Sequence, residues 1–273
     1  MGARSSVDAR GERSMDLGLR GKVALVTAAS KGMGKACAMG FAAEGARVAM
    51  CARTEADIKT AAEEVRVKTG AEVLAMAADV TRAEDVKSIV ARTRQTFGGI
   101  DVLVANCGGP PRGELHEMTD EQWFGAFEVS VLSVVRLVRE VAPIMRARKW
   151  GRILTIQSVS VKQPVDGLLL SNAVRPGVAG LSKTLAPELG KDNVTINVVC
   201  PGRIMTDRFL GGAKQAGMPV DEYVARSARD VPLGRIGTPE EFANVVVFLA
   251  SERASYVTGV VIQVDGGMVR GIV

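Results

Sequence analysis

Along most of this chain, short and almost wholly apolar runs alternate with longer stretches that mix apolar and charged residues. The runs at residues 22–27, 47–51, 72–77, 101–105, 152–157, 194–199 and 260–264 have strand length and no polar face. That pattern predicts strands covered on both sides. Helices are expected between them, at residues 33–44, 55–68, 83–96, 120–147, 178–189 and 239–249. Connections of this length are helical crossovers, and parallel crossovers are right-handed. The predicted architecture is α/β: one doubly wound parallel sheet of about seven strands flanked by helices. Ligands of such sheets lie beyond the carboxyl ends of the strands, where this chain's least ordinary residues cluster.

Composition changes this picture little. The 273 residues, 47% hydrophobic and 24% charged, fit one domain over residues 18–273 with a flexible tail at 1–17. No apolar run approaches the roughly 18 residues of a membrane span, and the polar first residues do not form a secretory signal. Gly2 and Ser6 match a short myristoylation pattern, a match expected to be accidental. Cys37, Cys51, Cys107 and Cys200 form no C-x-x-C pair, so a reducing cytoplasm is expected. A net charge of +5 is scattered rather than clustered, so neither nucleic acid nor membrane is expected as a partner. No His, Cys or Asp cluster has metal-ligand spacing, and no metal is expected.

The first predicted strand runs into Thr27-Ala28-Ala29-Ser30-Lys31-Gly32-Met33-Gly34. Gly32 and Gly34 let the backbone approach a diphosphate, and the following helix presents free N–H groups to it. A glycine loop placed between a strand and a helix in this way marks a Rossmann-type dinucleotide site. The second strand ends Cys51-Ala52-Arg53-Thr54, without the carboxylate that would hydrogen-bond an adenosine ribose. Arg53, facing Lys31, can grip a phosphate instead, so NADP(H) is expected over NAD(H).

From about Leu17 onward the chain resembles the short-chain dehydrogenase/reductase family, of the 3-oxoacyl-carrier-protein reductase type. The resemblance rests on the loop above, on Asp79-Val80, on Asn106-Cys107-Gly108-Gly109, and on Asn197 with Pro201-Gly202. It also includes Val257-Thr258-Gly259 and Asp265-Gly266-Gly267. Ala28 stands where the family has glycine. By this resemblance the cofactor contacts are Thr27, Ser30, Lys31, Gly32, Met33, Gly34, Arg53, Asp79, Val80, Asn106, Gly108, Arg175, Pro201, Gly202 and Thr206. The implied activity is NADP(H)-dependent interconversion of a carbonyl and an alcohol.

The family carries out its proton transfer with tyrosine, lysine, serine and asparagine. Lowering a phenol from a pKa near 10 to about 7 takes roughly 4 kcal/mol, which a lysine ammonium and the nicotinamide charge supply. Aligned by Gly180-Leu181-Ser182-Lys183-Thr184-Leu185-Ala186, this chain has Ser171 at the tyrosine and Arg175 at the lysine. Ser158 retains the serine, and Ser130 replaces the asparagine. A serine is a far weaker acid than a phenol, and an arginine holds its proton. Pro176 removes an N–H and disfavours helical geometry at Arg175, so a late start or a break is expected in this helix.

Three readings stay open. The protein is an oxidoreductase drawing its proton from another group, with Lys162 the best-placed candidate beside Gln163 and Asp166. Alternatively, Arg175 and the serines bind an acidic substrate for more specialised chemistry. The third reading is a cofactor-binding protein without turnover, a sensor or assembly subunit. His116 is expected to be an exposed loop residue. Residues 203–229 resemble a substrate flap with an apolar underside of Met205, Phe209, Leu210, Met218 and Tyr223. The family resemblance further implies a homotetramer or homodimer.

Overall fold

The computed structural model describes residues 6–7 and 13–272. Most of the expected tail at 1–17 lies outside the described residues, Gly2 included. From Asp16 the backbone is already held: Arg253 Nε donates to its carbonyl at 2.8 Å, and Glu252 N donates to the Leu17 carbonyl at 3.0 Å. Ser6–Val7 pairs antiparallel with Arg13–Ser14, apart from the main sheet.

The main sheet has seven parallel strands: β1 (Val23–Val26), β2 (Arg47–Ala52), β3 (Val73–Ala77), β4 (Val102–Ala105), β5 (Gly151–Ile156), β6 (Val194–Pro201) and β7 (Val261–Val264). Their order is β3-β2-β1-β4-β5-β6-β7. All residues of β1, β4, β5 and β6 are buried, as a sheet covered on both faces requires. β7 is half-buried because it closes one edge. The apolar pattern located every one of these strands. β6 runs to Pro201 because Pro201 still pairs with Val264.

Helices α1 (Gly32–Ala43), α2 (Glu55–Thr69) and α10 (Pro239–Ala250) bury their apolar stripes against one face. On the other face lie α3 (Ala83–Phe97), α5 (Ser133–Ala147) and α7 (Pro176–Gly190). Three departures from the sequence reading matter for the site. The long helix at 120–147 is α4 (Asp120–Phe127), a π-helical turn (Glu128–Leu132) and α5. A short helix, α6 (Leu169–Val174), precedes α7. The flap is mostly helical, with α8 (Asp207–Gln215) and α9 (Val220–Ala228).

The break at Pro176 is present, since α6 and α7 meet there. The expected bias of Arg175 away from helical geometry is not. Arg175 has φ −66° and ψ −31°, and its N–H donates to the Ser171 carbonyl at 3.2 Å. Packing of both helices against the π turn outweighs the pre-proline preference.

Candidate active site

Strand order reverses between β1 and β4, and the cleft opens there, beyond their carboxyl ends. It holds about 630 Å³. Its floor is the β1–α1 loop. Thr27, fully buried, braces this loop: its Oγ donates to the Asn106 carbonyl at 2.6 Å and accepts from Asn106 N at 2.9 Å. Asn106 Nδ2 in turn donates to the Ala28 carbonyl at 3.3 Å. Ala28 holds the turn at φ +47°, a left-handed conformation that costs a residue with a Cβ about 1–2 kcal/mol. The alanine is tolerated, and the loop keeps its turn.

The N-terminus of α1 points into the cleft. No side chain caps it, and no acidic residue sits in its first turn. Its free N–H groups and positive dipole end are therefore open to an anion. Gly32 has φ +56° and lies against Thr206, where a Cβ would come within 3.3 Å of Cγ2. Gly34 has a different reason for being glycine. A Cβ there would stand 2.4 Å from the Ala28 carbonyl oxygen and 2.8 Å from Asn106 Nδ2. Glycine here lets the loop pack against the start of α1.

Of the residues singled out from sequence, Ser30, Lys31, Gly32, Met33, Arg53, Asp79, Val80, Asn106, Gly108 and Thr206 line this cleft. Thr27, Gly34, Arg175, Pro201 and Gly202 are not part of its lining. Gly202 is wedged against Asp265, with room for no Cβ. Asp79 Oδ1 accepts from Thr81 N at 3.0 Å and Thr81 Oγ at 2.8 Å, which fixes the β3 end of the cleft wall. Arg53 is exposed at the end of β2 without an ion pair among the described residues. Lys31 reaches Asp207 at only 3.8 Å, both side chains well exposed, a contact too loose to hold it.

The residues that the sequence alignment put forward as catalytic candidates gather where β5 ends against α6, α7 and the π turn. Ser158 Oγ accepts from Ser160 N at 3.1 Å. Ser160 Oγ lies 3.0 Å from Ser171 Oγ, and both are buried. Arg175, 5% exposed, donates from Nη1 to Gln157 Oε1 at 2.9 Å and from Nη2 to the Gly108 carbonyl at 3.3 Å. Ser130 lies in the π turn, fully buried, with no partner for its Oγ. Lys162 ends the short turn Val159–Val161 and is half-buried.

Sequence reasoning missed Ser160, Gln157 and Arg208. Arg208 belongs to the cleft lining, and its guanidinium donates to the carbonyls of Gly109 and Pro110, each at 3.1 Å. A sequence cue existed, since Arg208 follows Thr206-Asp207 one step into the flap. His116 is exposed in its loop, 3.8 Å from Glu114. The flap's Met205, Phe209, Leu210, Met218 and Tyr223 are all half-buried, with the Phe209 and Tyr223 rings 5.2 Å apart. All four cysteines are free. Burial raises the thiols of Cys51 to about 12 and Cys200 to about 11, and that of Cys37 higher still.

Residues 27–269 match the family model described as enoyl-(acyl carrier protein) reductase. The chain is 37% identical over 254 residues to 3-oxoacyl-[acyl-carrier-protein] reductase FabG of Escherichia coli (strain K12), covering 92% of this chain and 99% of that protein. It is 36% identical over 256 residues to the FabG of Thermotoga maritima, with the same coverage. Among solved structures, L-sorbose reductase from Gluconobacter frateurii, complexed with NADPH and L-sorbose, superposes with a TM-score of 0.91 at 39% identity. That match covers 94% of this chain and all of the other. An actinorhodin polyketide ketoreductase variant with NADPH gives 0.88 at 33% identity, covering 92% and 98%.

Proposed function

This chain belongs to the short-chain dehydrogenase/reductase family, and from that premise we propose that it is an NADP(H)-dependent oxidoreductase acting on a carbonyl or alcohol substrate. One observation carries the reading: the uncapped N-terminus of α1 and the free Arg53 face one cleft at the strand-order reversal. Residues 30–33 would hold the diphosphate. Arg53, with Lys31 opposite, would hold the 2′-phosphate, which a carboxylate in Arg53's place would repel. Asp79 and Val80 would border the adenine, Asn106 and Gly108 the adjoining ribose, and Thr206 the carboxamide. The NADP(H) match follows the NADPH-bound relatives, and NAD(H) is the weaker alternative. Bound nicotinamide would supply or accept the hydride.

The chain's own residues would do the rest. Ser158, oriented by the Ser160 N–H, would hold the carbonyl oxygen. Ser171 and Arg175 stand at the family's tyrosine and lysine positions, and neither supplies an acid near neutral pH. Arg175 would fix the Gly108 backbone and Gln157 rather than relay a proton. The proton donor is then non-standard, and Lys162, half-buried beside this group, is the candidate. The buried, engaged Ser171 hydroxyl favours a second reading, a sensor or assembly subunit that binds cofactor without turnover. Phe124 and Phe127, exposed on α4, together with the open edge of β7, support a homodimer or homotetramer. Four free cysteines fit a cytoplasmic setting.

The test is an NADPH-oxidation screen over ketones, aldehydes and oxo acids, repeated with the Ser158→Ala, Ser171→Ala double variant. Turnover that falls at least about 100-fold in the variant, with NADPH still bound, supports the enzyme. Tight NADPH binding without turnover on any substrate supports the sensor. Ser171→Tyr with Arg175→Lys sharpens the point, because a large gain in ketone reduction would mean that the native site is disarmed.

A further inference from the structure

The far end of the cleft carries positive charge that no acidic side chain neutralises. Arg208 lines it from the first turn of α8, and the buried Arg175 lies at the junction of α6 and α7, outside the lining. Both guanidinium groups grip successive carbonyls of one loop: Arg175 takes Gly108, and Arg208 takes Gly109 and Pro110. Among the described residues neither has an ion-pair partner, nor does the exposed Arg112 nearby. Burying a guanidinium beside neutral acceptors alone is unfavourable, so Arg175 is an arginine where a smaller neutral group would serve the fold better. Gln157, which it holds, keeps a buried Nε2 with no partner.

The charges act on a common volume. Partial loss of water lowers the Arg208 pKa, and the positive charges of Arg175 and Arg112 lower it further. Arg208 stays protonated all the same. Elsewhere on the sheet, even exposed cations have an acid beside them, as Arg146 and Lys149 have Asp192 at 2.6 and 2.5 Å. The phosphates of a dinucleotide do not account for this pair. The uncapped α1 N-terminus and Arg53 serve those, on the other side of Asn106.

We propose that the substrate carries an anionic group, a carboxylate or a phosphate ester, that docks on Arg208 at the cleft wall, with the buried Arg175 adding its charge through the loop that both hold. This rests on the reading of the cleft as an NADP(H)-dependent carbonyl site, and it names the class of carbonyl compound. The anion brings the counter-charge that both guanidinium groups lack, and the Arg208 guanidinium donates to it. Specificity comes from discrimination against neutral analogues, which leave the arginines unpaired.

Matched pairs test this. Acetoacetate is compared with methyl acetoacetate, and dihydroxyacetone phosphate with dihydroxyacetone. Two quantities are read on wild type and Arg208→Gln: kcat/KM by NADPH oxidation, and calorimetric binding to the protein saturated with NADP+. The expected result is at least a tenfold preference for one charged member over its neutral partner, mainly in KM. Arg208→Gln should remove that preference and leave NADPH affinity within twofold. Preference in the first pair assigns the carboxylate, and in the second the phosphate. Charged probes that bind in an Arg208-dependent way uphold the anion site, and if they and the full carbonyl screen show no turnover the oxidoreductase reading alone is refuted. Efficient reduction without charge preference does the reverse. Absence of binding by both charged probes overturns the inference, as does an Arg208→Gln variant that loses NADPH affinity tenfold.

Discussion

The two ends of this one sheet treat charge in opposite ways. At the amino ends of the strands, cations are matched within the chain. Arg148 pairs with Asp101 at 3.2 Å, whose other oxygen accepts from Val23 N at 2.8 Å. Asp192 takes both Arg146 and Lys149. The fully buried Arg152 stacks on Trp150 at 4.4 Å, with Glu252 3.7 Å away, and Lys22 covers the same ring at 3.7 Å. At the carboxyl ends, Arg53, Lys162, Arg175 and Arg208 have no carboxylate partner among the described residues. The α1 N-terminus has neither a side-chain cap nor an acidic first-turn residue there, and a buried hydroxyl, Ser130 Oγ, has no partner among the described residues. The first end serves stability. The second holds its groups ready for ligands at some cost to stability, as functional sites do.

Substitutions at the two ends should therefore behave differently. The largest effect on folding is expected from Trp150→Ala, which removes a half-buried ring, two cation contacts and the Nε1 bond to Glu252. Denaturant unfolding should show a loss of about 2–3 kcal/mol, with NADPH affinity unchanged. A matching loss of affinity would mean the two ends are coupled. Arg175→Met should do the opposite, holding stability within about 1 kcal/mol of wild type or raising it, while turnover falls. A loss of about 3 kcal/mol would make Arg175 a structural residue and blur the comparison.

Acid should act on the amino end first. Lys149 and Arg146 hold the Asp192 carboxyl below its ordinary value. Its contribution is thus present above an unfolded pKa near 4 and is lost as pH falls through the lower folded value. Asp192→Asn should lower the melting midpoint at neutral pH and flatten the fall in midpoint on acidification. A variant curve parallel to wild type would remove Asp192 from the account. The smallest effect is expected from Ala28→Gly. Relief of the positive φ, offset by added freedom in the unfolded chain, should stabilise by about 0.5–1 kcal/mol in urea unfolding. No gain would mean that the turn carries no strain.

Much of this was legible in the sequence for physical reasons. Buried parallel strands must be apolar throughout, so all seven appeared as runs. Pro176 announced the α6–α7 junction because a missing N–H has only local remedies. The loop from Thr27 to Gly34 also identified itself, and Gly34 packs closely against Ala28 and Asn106. The partners of the reactive positions were less visible. That Ser171 meets Ser160, and Arg175 meets Gln157 and Gly108, depends on how three elements converge, and a linear pattern does not encode it. Arg208 lay unnoticed because a charge in a surface helix has the same local signature whether or not a cleft lies beneath it. The π turn at Ser130 was hidden inside a continuous helical pattern.

The central claim is that the carboxyl end of the sheet is an anion-binding cleft built for NADP(H), with Arg53 reading the 2′-phosphate. Calorimetric titration of wild type and Arg53→Ala with NADPH and NADH tests it most directly. The account predicts NADPH binding at least about tenfold tighter than NADH in wild type, about 1.4 kcal/mol. Arg53→Ala should weaken NADPH alone until the two are nearly equal. Equal affinities in wild type, tighter NADH, or an equal loss for both cofactors in the variant would contradict it.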